Sequence, residues 1–283
     1  MKRLLICDLD NTLYDWVGYF VPSFYAMVDK AEQIIGCERD VLLDDFRKVH
    51  QRHHDTEHPF ALLETEVVKQ RFPGMNRRDL GEVFDEAFHA FNTTRKKTLH
   101  LYPGVDQTLR SLTENGVSLV AHTEGKLYSV LDRLNRLGIL HHFSKVYCRE
   151  RSSIAHIREE VGKRWLESFP LEKVTELSLH QRKPSPSVLQ EILQKEEMLP
   201  TQSVYVGDSI ARDMMMAKMV GVKATWAEYG THVSTRDYSA LVRISHWTKE
   251  DVTRELELKE QSKNVQPDCI LRHGFEQIIS CFK

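Results

Sequence analysis

The sequence predicts an α/β fold: an open parallel sheet covered by helices on both faces, interrupted after its first strand by an all-helical insertion. Three observations lead there. An apolar run at residues 4–7 opens the chain and stops at Asp8. From residue 16 to 95 the apolar residues recur every three or four positions, with no strand-like alternation. After residue 104, short apolar runs alternate with helical periodicity up to residue 227. Strands separated by helices pair in parallel through crossovers, and such sheets are buried on both faces.

The run at residues 4–7 has the length and composition of a buried strand. It gives way at Asp8-Leu9-Asp10-Asn11-Thr12. The insertion follows. Val17, Phe20, Phe24, Met27, Val28, Ala31, Ile34 and Ile35 form one helix face, stopped by Gly36. Val41, Leu42, Phe46 and Val49 form a second, with Asp40 as its cap. Leu62, Leu63, Val67 and Val68 form a third, ended before Pro73-Gly74. Asn76 caps a fourth, with Leu80, Val83, Phe84, Ala87, Phe88 and Phe91 on its face. Tyr102-Pro103-Gly104 marks the return.

Residues 105–112 are helical and 117–121 a strand, with His122-Thr123-Glu124-Gly125 as a turn. Leu127, Leu131, Leu134 and Leu137 give the next helix, ended by Gly138. Further strands fall at 145–148, 203–206 and 223–227. Between residues 149 and 182, Ile154, Ile157, Val161, Trp165 and Phe169 predict an additional helix that packs and has no functional reading. The segment 231–283 has no assigned role. Met214, Met215, Met216 and Met219 read as core packing.

The length of 283 residues allows one or two domains. Hydrophobic residues at 41% supply an ordinary core, and wholesale disorder is excluded. Lysine and arginine number 39 and the acids 41, a net charge of −2, which argues against a nucleic-acid polymer as partner. No run approaches 18 apolar residues, so no membrane span is expected. Asp8 and Asp10 end the first apolar run too early for a signal peptide. Five scattered cysteines suit neither a disulfide framework nor a zinc site, and favour a reducing, cytoplasmic compartment.

In open α/β sheets ligands bind at the carboxyl ends of the strands. The first strand ends in Asp8 and Asp10, the second in Thr123, and the fourth in Gly207-Asp208-Ser209 with Asp213 just beyond. Arg182-Lys183-Pro184-Ser185-Pro186 precedes a helix that can start at the prolines. Four aspartates, a hydroxyl and a lysine therefore converge. Carboxylates this close repel one another, and a divalent cation resolves the conflict. Oxygen ligands without Cys or His favour magnesium, which takes a substrate phosphate as well.

These residues resemble the motifs of the haloacid dehalogenase-like hydrolase superfamily. Asp8-Leu9-Asp10-Asn11-Thr12 is similar to its DxDxT motif, Thr123 to its lone hydroxyl, Lys183 to its lysine, and Gly207-Asp208-Ser209-Ile210-Ala211-Arg212-Asp213 to its acidic motif. The resemblance covers residues of about 1–15 and 100–230, and the insertion is similar to the superfamily's C1 cap. It implies a Rossmann-like three-layer α/β core with a parallel sheet, made of residues 1–14 and 99–283, and an inserted all-helical cap at 15–98.

The resemblance also implies a phosphatase branch and a role for each residue. Asp8 is the nucleophile that forms an aspartyl-phosphate, and Asp10 the general acid/base. Asp8, the backbone carbonyl of Asp10 and Asp208 hold Mg2+. Thr123 and Lys183 bind phosphoryl oxygens, and Asp213 orients the metal site from behind or through water. Glu124 stands where many members carry Asn. With His53, His54 and Asp55 in the insertion, it is a candidate for substrate specificity. The spacing of His50, His53, His54 and His58 is too irregular for a zinc site; it suits solvated or substrate-facing side chains ahead of Pro59.

The expected activity is magnesium-dependent hydrolysis of a small phosphorylated metabolite. A phosphomutase would keep all four motifs. A haloacid dehalogenase would need neither Asp10 nor Asp208. A non-enzymatic binding or regulatory protein would be free to lose the nucleophile, and Asp8 is present.

Overall fold

The computed structural model describes residues 2–58, 60–150 and 159–282. In chain order, β1 (Arg3–Cys7) leads into α1 (Trp16–Ile35), α2 (Arg39–His53), α3 (Glu66–Arg71), α4 (Arg77–Val83) and α5 (Asp85–Thr98). Then come α6 (Val105–Glu114), β2 (Val117–Lys126), α7 (Leu127–Arg136), β3 (Lys145–Arg149), α8 (Glu159–Glu167) and β4 (Val174–Leu177). The chain continues through α9 (Pro186–Lys195), β5 (Ser203–Gly207), α10 (Met215–Val220), β6 (Lys223–Ala227), α11 (Thr235–Ile244), α12 (Lys249–Gln261) and β7 (Cys269–Leu271).

The seven strands form one sheet in the order β4-β3-β2-β1-β5-β6-β7, and every pairing is parallel. The sequence shows five of these strands. β4 and β7 were not visible because each is short and only partly buried, so neither carries a strong apolar run.

Side chains of β1 alternate between two buried faces, as strand geometry requires. Leu4 and Ile6 join Leu189, Ile192, Met214 and Met216 of the α9–α10 side. Leu5 and Cys7 join Leu109 and Leu112 of α6 and Leu131 and Leu134 of α7. Met219 is exposed rather than packed. The chain departs from β1 to opposite sides, through β2 on one and β5 on the other. That reversal opens a crevice at the carboxyl ends of β1 and β5, where an α/β sheet binds ligands.

Among the described residues, 16–98 form helices and turns without a strand. Asp15 starts α1 by accepting a 2.7 Å hydrogen bond from the Gly18 amide. Gly36 ends it at a φ of 73°, in the left-handed region that favours glycine. Three sequence expectations are corrected here: the third helix is a 3-10 turn at Ala61–Glu64, which holds Leu62 and Leu63, and the short α3, parted by the extended backbone of Thr65. Asp40 lies in the first turn of α2, whose cap position is Glu38. The fourth helix is two, because the chain breaks at Phe84 and its fully buried ring packs edge-on to Phe72. The insert shares one apolar cluster with the α6–α7 face of the sheet.

The stretch 149–182 holds α8, on which Val161 and Trp165 lie, and the edge strand β4. Ile154, Ile157 and Pro59 fall outside the described residues. The C-terminal segment has a definite place. α11 packs on α1 and α2. The Tyr25 hydroxyl donates to the Ala240 carbonyl at 3.1 Å, His50 Nδ1 bonds the Ile244 carbonyl at 2.7 Å, and Arg243 pairs with Asp44 at 2.6 Å. α12 instead holds the core: Asp251 pairs with Arg182 and Glu255 with Arg212, both at 2.7 Å, and Arg254 donates to the Lys183 carbonyl at 2.7 Å. No helix among the described residues is long and apolar enough to cross a membrane. All five cysteines are free.

Candidate active site

The crevice gathers residues from the ends of β1 and β5, from within β2 and from the turn ahead of α9. Asp8 follows β1, and its amide still pairs with the Val206 carbonyl of β5 at 2.9 Å, which fixes where the side chain emerges. Thr12 Oγ1 donates to Asp8 Oδ2 at 3.0 Å. Lys183, ahead of α9, is almost fully buried and donates to Asp8 Oδ1 at 2.6 Å and to Asp213 Oδ1 at 2.9 Å. Burial works against the ammonium charge, but Asp213 and Asp8 hold its pKa well above the usual lysine range.

Asp208 follows β5, and its backbone carbonyl accepts from the Trp226 indole at 2.8 Å. Asp213 lies on a π-type turn, Ile210–Met214, where its Oδ2 accepts from the Ser209 amide at 3.1 Å. A Cβ at Gly207 would stand 2.4 Å from that carboxylate, so glycine leaves the room Asp213 occupies. Carboxylate oxygens of Asp8, Asp208 and Asp213 lie within 4.8 Å of one another. Burial, with Asp213 and Asp10 nearby, raises Asp8 to about 7 against the pull of Lys183. Burial, Asp8 and Asp213 raise Asp208 well above the carboxylate range.

Asp10 sits apart from that trio in a different setting. The Tyr14 hydroxyl donates to its Oδ1 at 2.7 Å, and Arg133 of α7 lies 3.2 Å away. Burial raises the pKa of Asp10, opposed by Arg133 and assisted by Glu57. Arg133 was not singled out in the sequence. Its signal was there, as a charged residue three after Val130 and four before Leu137 on an otherwise apolar helix face.

Thr123 lies inside β2, not at a turn. The strand runs on to Lys126, and its pairing with β3 breaks between His122 and Lys126. The buried Thr123 hydroxyl accepts from the Gly125 amide at 3.0 Å. Glu124 is committed to neighbours: Oε1 accepts from the Lys183 amide and Oε2 from Arg212, each at 3.2 Å.

A cavity of about 610 Å3 joins these groups to the insert. Asp8, Asp10, Thr123, Glu124, Lys183, Asp208 and Asp213 line it, as do His54, Asp55 and Glu57 from the insert and Trp247 from the joint between α11 and α12. His53 is turned elsewhere. Its ring stacks on His58 at 3.6 Å, and the Nε2 atoms of both bond Glu64, at 2.7 and 2.9 Å. Arg52 and Arg77 stand 3.5 and 3.6 Å from the same carboxylate, so cations already balance it. The histidines are less solvated than the sequence suggests, because His50 and His58 are buried.

Residues 2–221 match the family described as haloacid dehalogenase-like hydrolase, and residues 180–269 match a HAD-hydrolase-like family. The chain is 27% identical over 228 residues to a phosphoglycolate phosphatase of Vibrio vulnificus, covering 81% of this chain and 84% of that protein. It is 26% identical over 233 residues to a glyceraldehyde 3-phosphate phosphatase of Methanopyrus kandleri, covering 78% and 82%. Among solved structures, a 2-haloacid dehalogenase of Pseudomonas syringae superposes with a TM-score of 0.53 at 22% identity, covering 83% of this chain and 90% of that one, a likeness of fold.

Proposed function

The chain belongs to the haloacid dehalogenase-like hydrolase family, and on that premise we propose a magnesium-dependent phosphatase that hydrolyses a small phosphomonoester through an aspartyl-phosphate intermediate. The observation that carries this reading is the separation of two carboxylates by environment. Asp8 is bound to Lys183 among the acids of the crevice, while Asp10 is held by Tyr14 and Arg133. One suits a nucleophile beside a cation, and the other an acid that can hold a proton.

In this mechanism Asp8 attacks phosphorus in line, and Asp10 protonates the departing oxygen. Thr123 and Lys183 steady the phosphoryl oxygens, and Lys183 offsets the charge of Asp8. Asp10 then removes a proton from the water that releases phosphate. An all-oxygen donor set fits magnesium, and Asp8, the backbone carbonyl of Asp10 and Asp208 would hold it. Bound there, magnesium would neutralise the carboxylates and polarise the phosphoryl group. Asp213 keeps Lys183 and the Asp208 turn in place.

Residues 15–98 act as the cap, supported by the presence of His54, Asp55 and Glu57 in the cavity wall. The substrate is a small phosphorylated metabolite, supported by the names of the relatives from Vibrio vulnificus and Methanopyrus kandleri. The free cysteines fit a cytoplasmic site of action. The test is colour release from p-nitrophenyl phosphate with magnesium and after chelation, for the native protein and for Asp8→Asn. Hydrolysis that needs magnesium and disappears in the folded variant supports the reading. An unchanged rate in metal-free protein, or in Asp8→Asn, overturns it.

A further inference from the structure

The cations of the cavity are mostly engaged by their neighbours. Lys183 holds Asp8 and Asp213. Arg182 pairs with Asp251, and Arg212 with Glu255 and Glu124. Lys126 donates to the His53 carbonyl. Arg182 leaves only its Nε without a hydrogen bond, 3.8 Å from Glu124, whereas Arg149 leaves two nitrogens so. Arg149 ends β3, lines the same cavity and is only 6% exposed, yet its Nε and Nη2 have no hydrogen-bond partner among the described residues. Buried guanidinium donators left unmatched are costly, so a native site of this kind calls for a partner. Burial lowers the pKa of Arg149, eased by Glu124, but an arginine remains charged at neutral pH.

The two unmatched nitrogens matter together. Nε–H and an Nη2–H lie along one edge of the planar guanidinium, the edge that grips two oxygens of a carboxylate or phosphate. Two strand spacings separate β3 from β1, about 10 Å at ordinary sheet geometry. The charges that chiefly act on Arg149 are those of Glu124, Arg182, Asp55 and Glu150 and not of Asp8 or Lys183, so an oxyanion on Arg149 is a second group beside the one facing Asp8.

We propose that Arg149 receives a distal anionic group of the substrate, so that the preferred substrates are phosphomonoesters with a carboxylate or second phosphate at the far end of a short spacer. The proposal rests on the phosphatase reading above and names its substrate class. Arg149 is a binding residue here; the reacting groups are those of the crevice.

The experiment compares kcat/KM for matched series of increasing chain length: alkyl phosphates, ω-carboxyalkyl phosphates and α,ω-alkanediol bisphosphates. Native protein is expected to prefer an anionic-tailed ester over its uncharged counterpart at least tenfold at the best length. The carboxylate and bisphosphate arms show which oxyanion fits. Arg149→Met should erase that preference and leave alkyl phosphates and p-nitrophenyl phosphate within threefold of native. Arg149→Lys, which keeps the charge without the two-pronged edge, should reduce the preference at least threefold, and it serves if the methionine variant does not fold. The proposal is overturned if no length gives a preference, or if either folded variant keeps the native preference. Failure to hydrolyse any ester, p-nitrophenyl phosphate included, would overturn the phosphatase reading and this proposal together; hydrolysis without discrimination overturns this one alone.

Discussion

Glu57 and Arg133 meet across the boundary between the helical insert and the core. Arg133 Nη1 lies 2.6 and 2.5 Å from the two carboxylate oxygens of Glu57, and its Nη2 reaches Asp10 at 3.2 Å. The Tyr14 and Tyr19 hydroxyls complete the arginine's shell at 2.9 and 3.0 Å. The position of Asp10 is therefore tied to a residue of the insert.

Glu57→Gln should destabilise the protein strongly, because it leaves the buried Arg133 with part of its compensation gone. Breaking a buried pair from one side costs about 3–5 kcal/mol. Urea unfolding measures the loss, and a change under about 1 kcal/mol would show that Asp10 and the tyrosines suffice.

Asp10→Ala should impair alkyl phosphates far more than p-nitrophenyl phosphate. A phenolate with a nitro group departs without a proton, whereas an alkoxide needs one. Breakdown of the phosphoenzyme still requires Asp10, so a burst of p-nitrophenolate is expected in rapid-mixing traces. Equal losses on both substrates without a burst would make Asp10 a support and not an acid.

Gly230→Ala should damage both stability and turnover. A Cβ there would stand 1.6 Å from the Asn11 carbonyl oxygen, in the loop that carries Asp8 and Asp10. The adjacent Tyr229 hydroxyl bonds the Thr12 carbonyl in that loop. Overpacking of this kind costs about 1–3 kcal/mol. The measurements are the melting temperature and the p-nitrophenyl phosphate rate, with native values in both as the contrary result.

Acid should weaken the attachment of α11 through His50. Burial lowers this ring to about 4, against the opposing bond to the Ile244 carbonyl. A histidine kept neutral by folding contributes its full stability above the unfolded value near 6.5 and loses it as pH falls towards 4. Between pH 7 and 4.5 that loss is roughly 2 kcal/mol. His50→Phe removes the titrating group. Its unfolding free energy should decline less over that interval than the native protein's, and parallel declines would assign the acid sensitivity elsewhere.

The parallel sheet and the helical insert were legible because each has a strong period: apolar strand-length runs in one, recurrence at three and four residues in the other. Asp8, Asp208, Asp213 and Lys183 were legible as acids and a base at strand ends and a helix entry, places where this architecture exposes side chains. Arg133, Glu57 and Arg149 were not. Each acquires its partners or its isolation from tertiary contacts between segments far apart in sequence, and a charged residue in a helix or at a strand end reads as solvated until its burial is known. The tail was missed for a related reason. α12 has a weak apolar face, because Asp251, Arg254 and Glu255 hold it to the core by charge.

The tail behaves mechanically as a two-link tether. Its first link, α11, is bonded to the insert, and its second, α12, to the core. The elbow between them, residues 245–248, is itself tied to the insert, because the Thr56 hydroxyl accepts from the His246 amide at 3.1 Å and Gln51 Nε2 donates to the Trp247 carbonyl at 3.2 Å. Trp247 lies in that elbow and also in the cavity wall, with the Arg212 guanidinium 5.6 Å above its ring. A swing of the insert that kept these bonds would therefore carry an aromatic wall of the chamber with it and part it from Arg212.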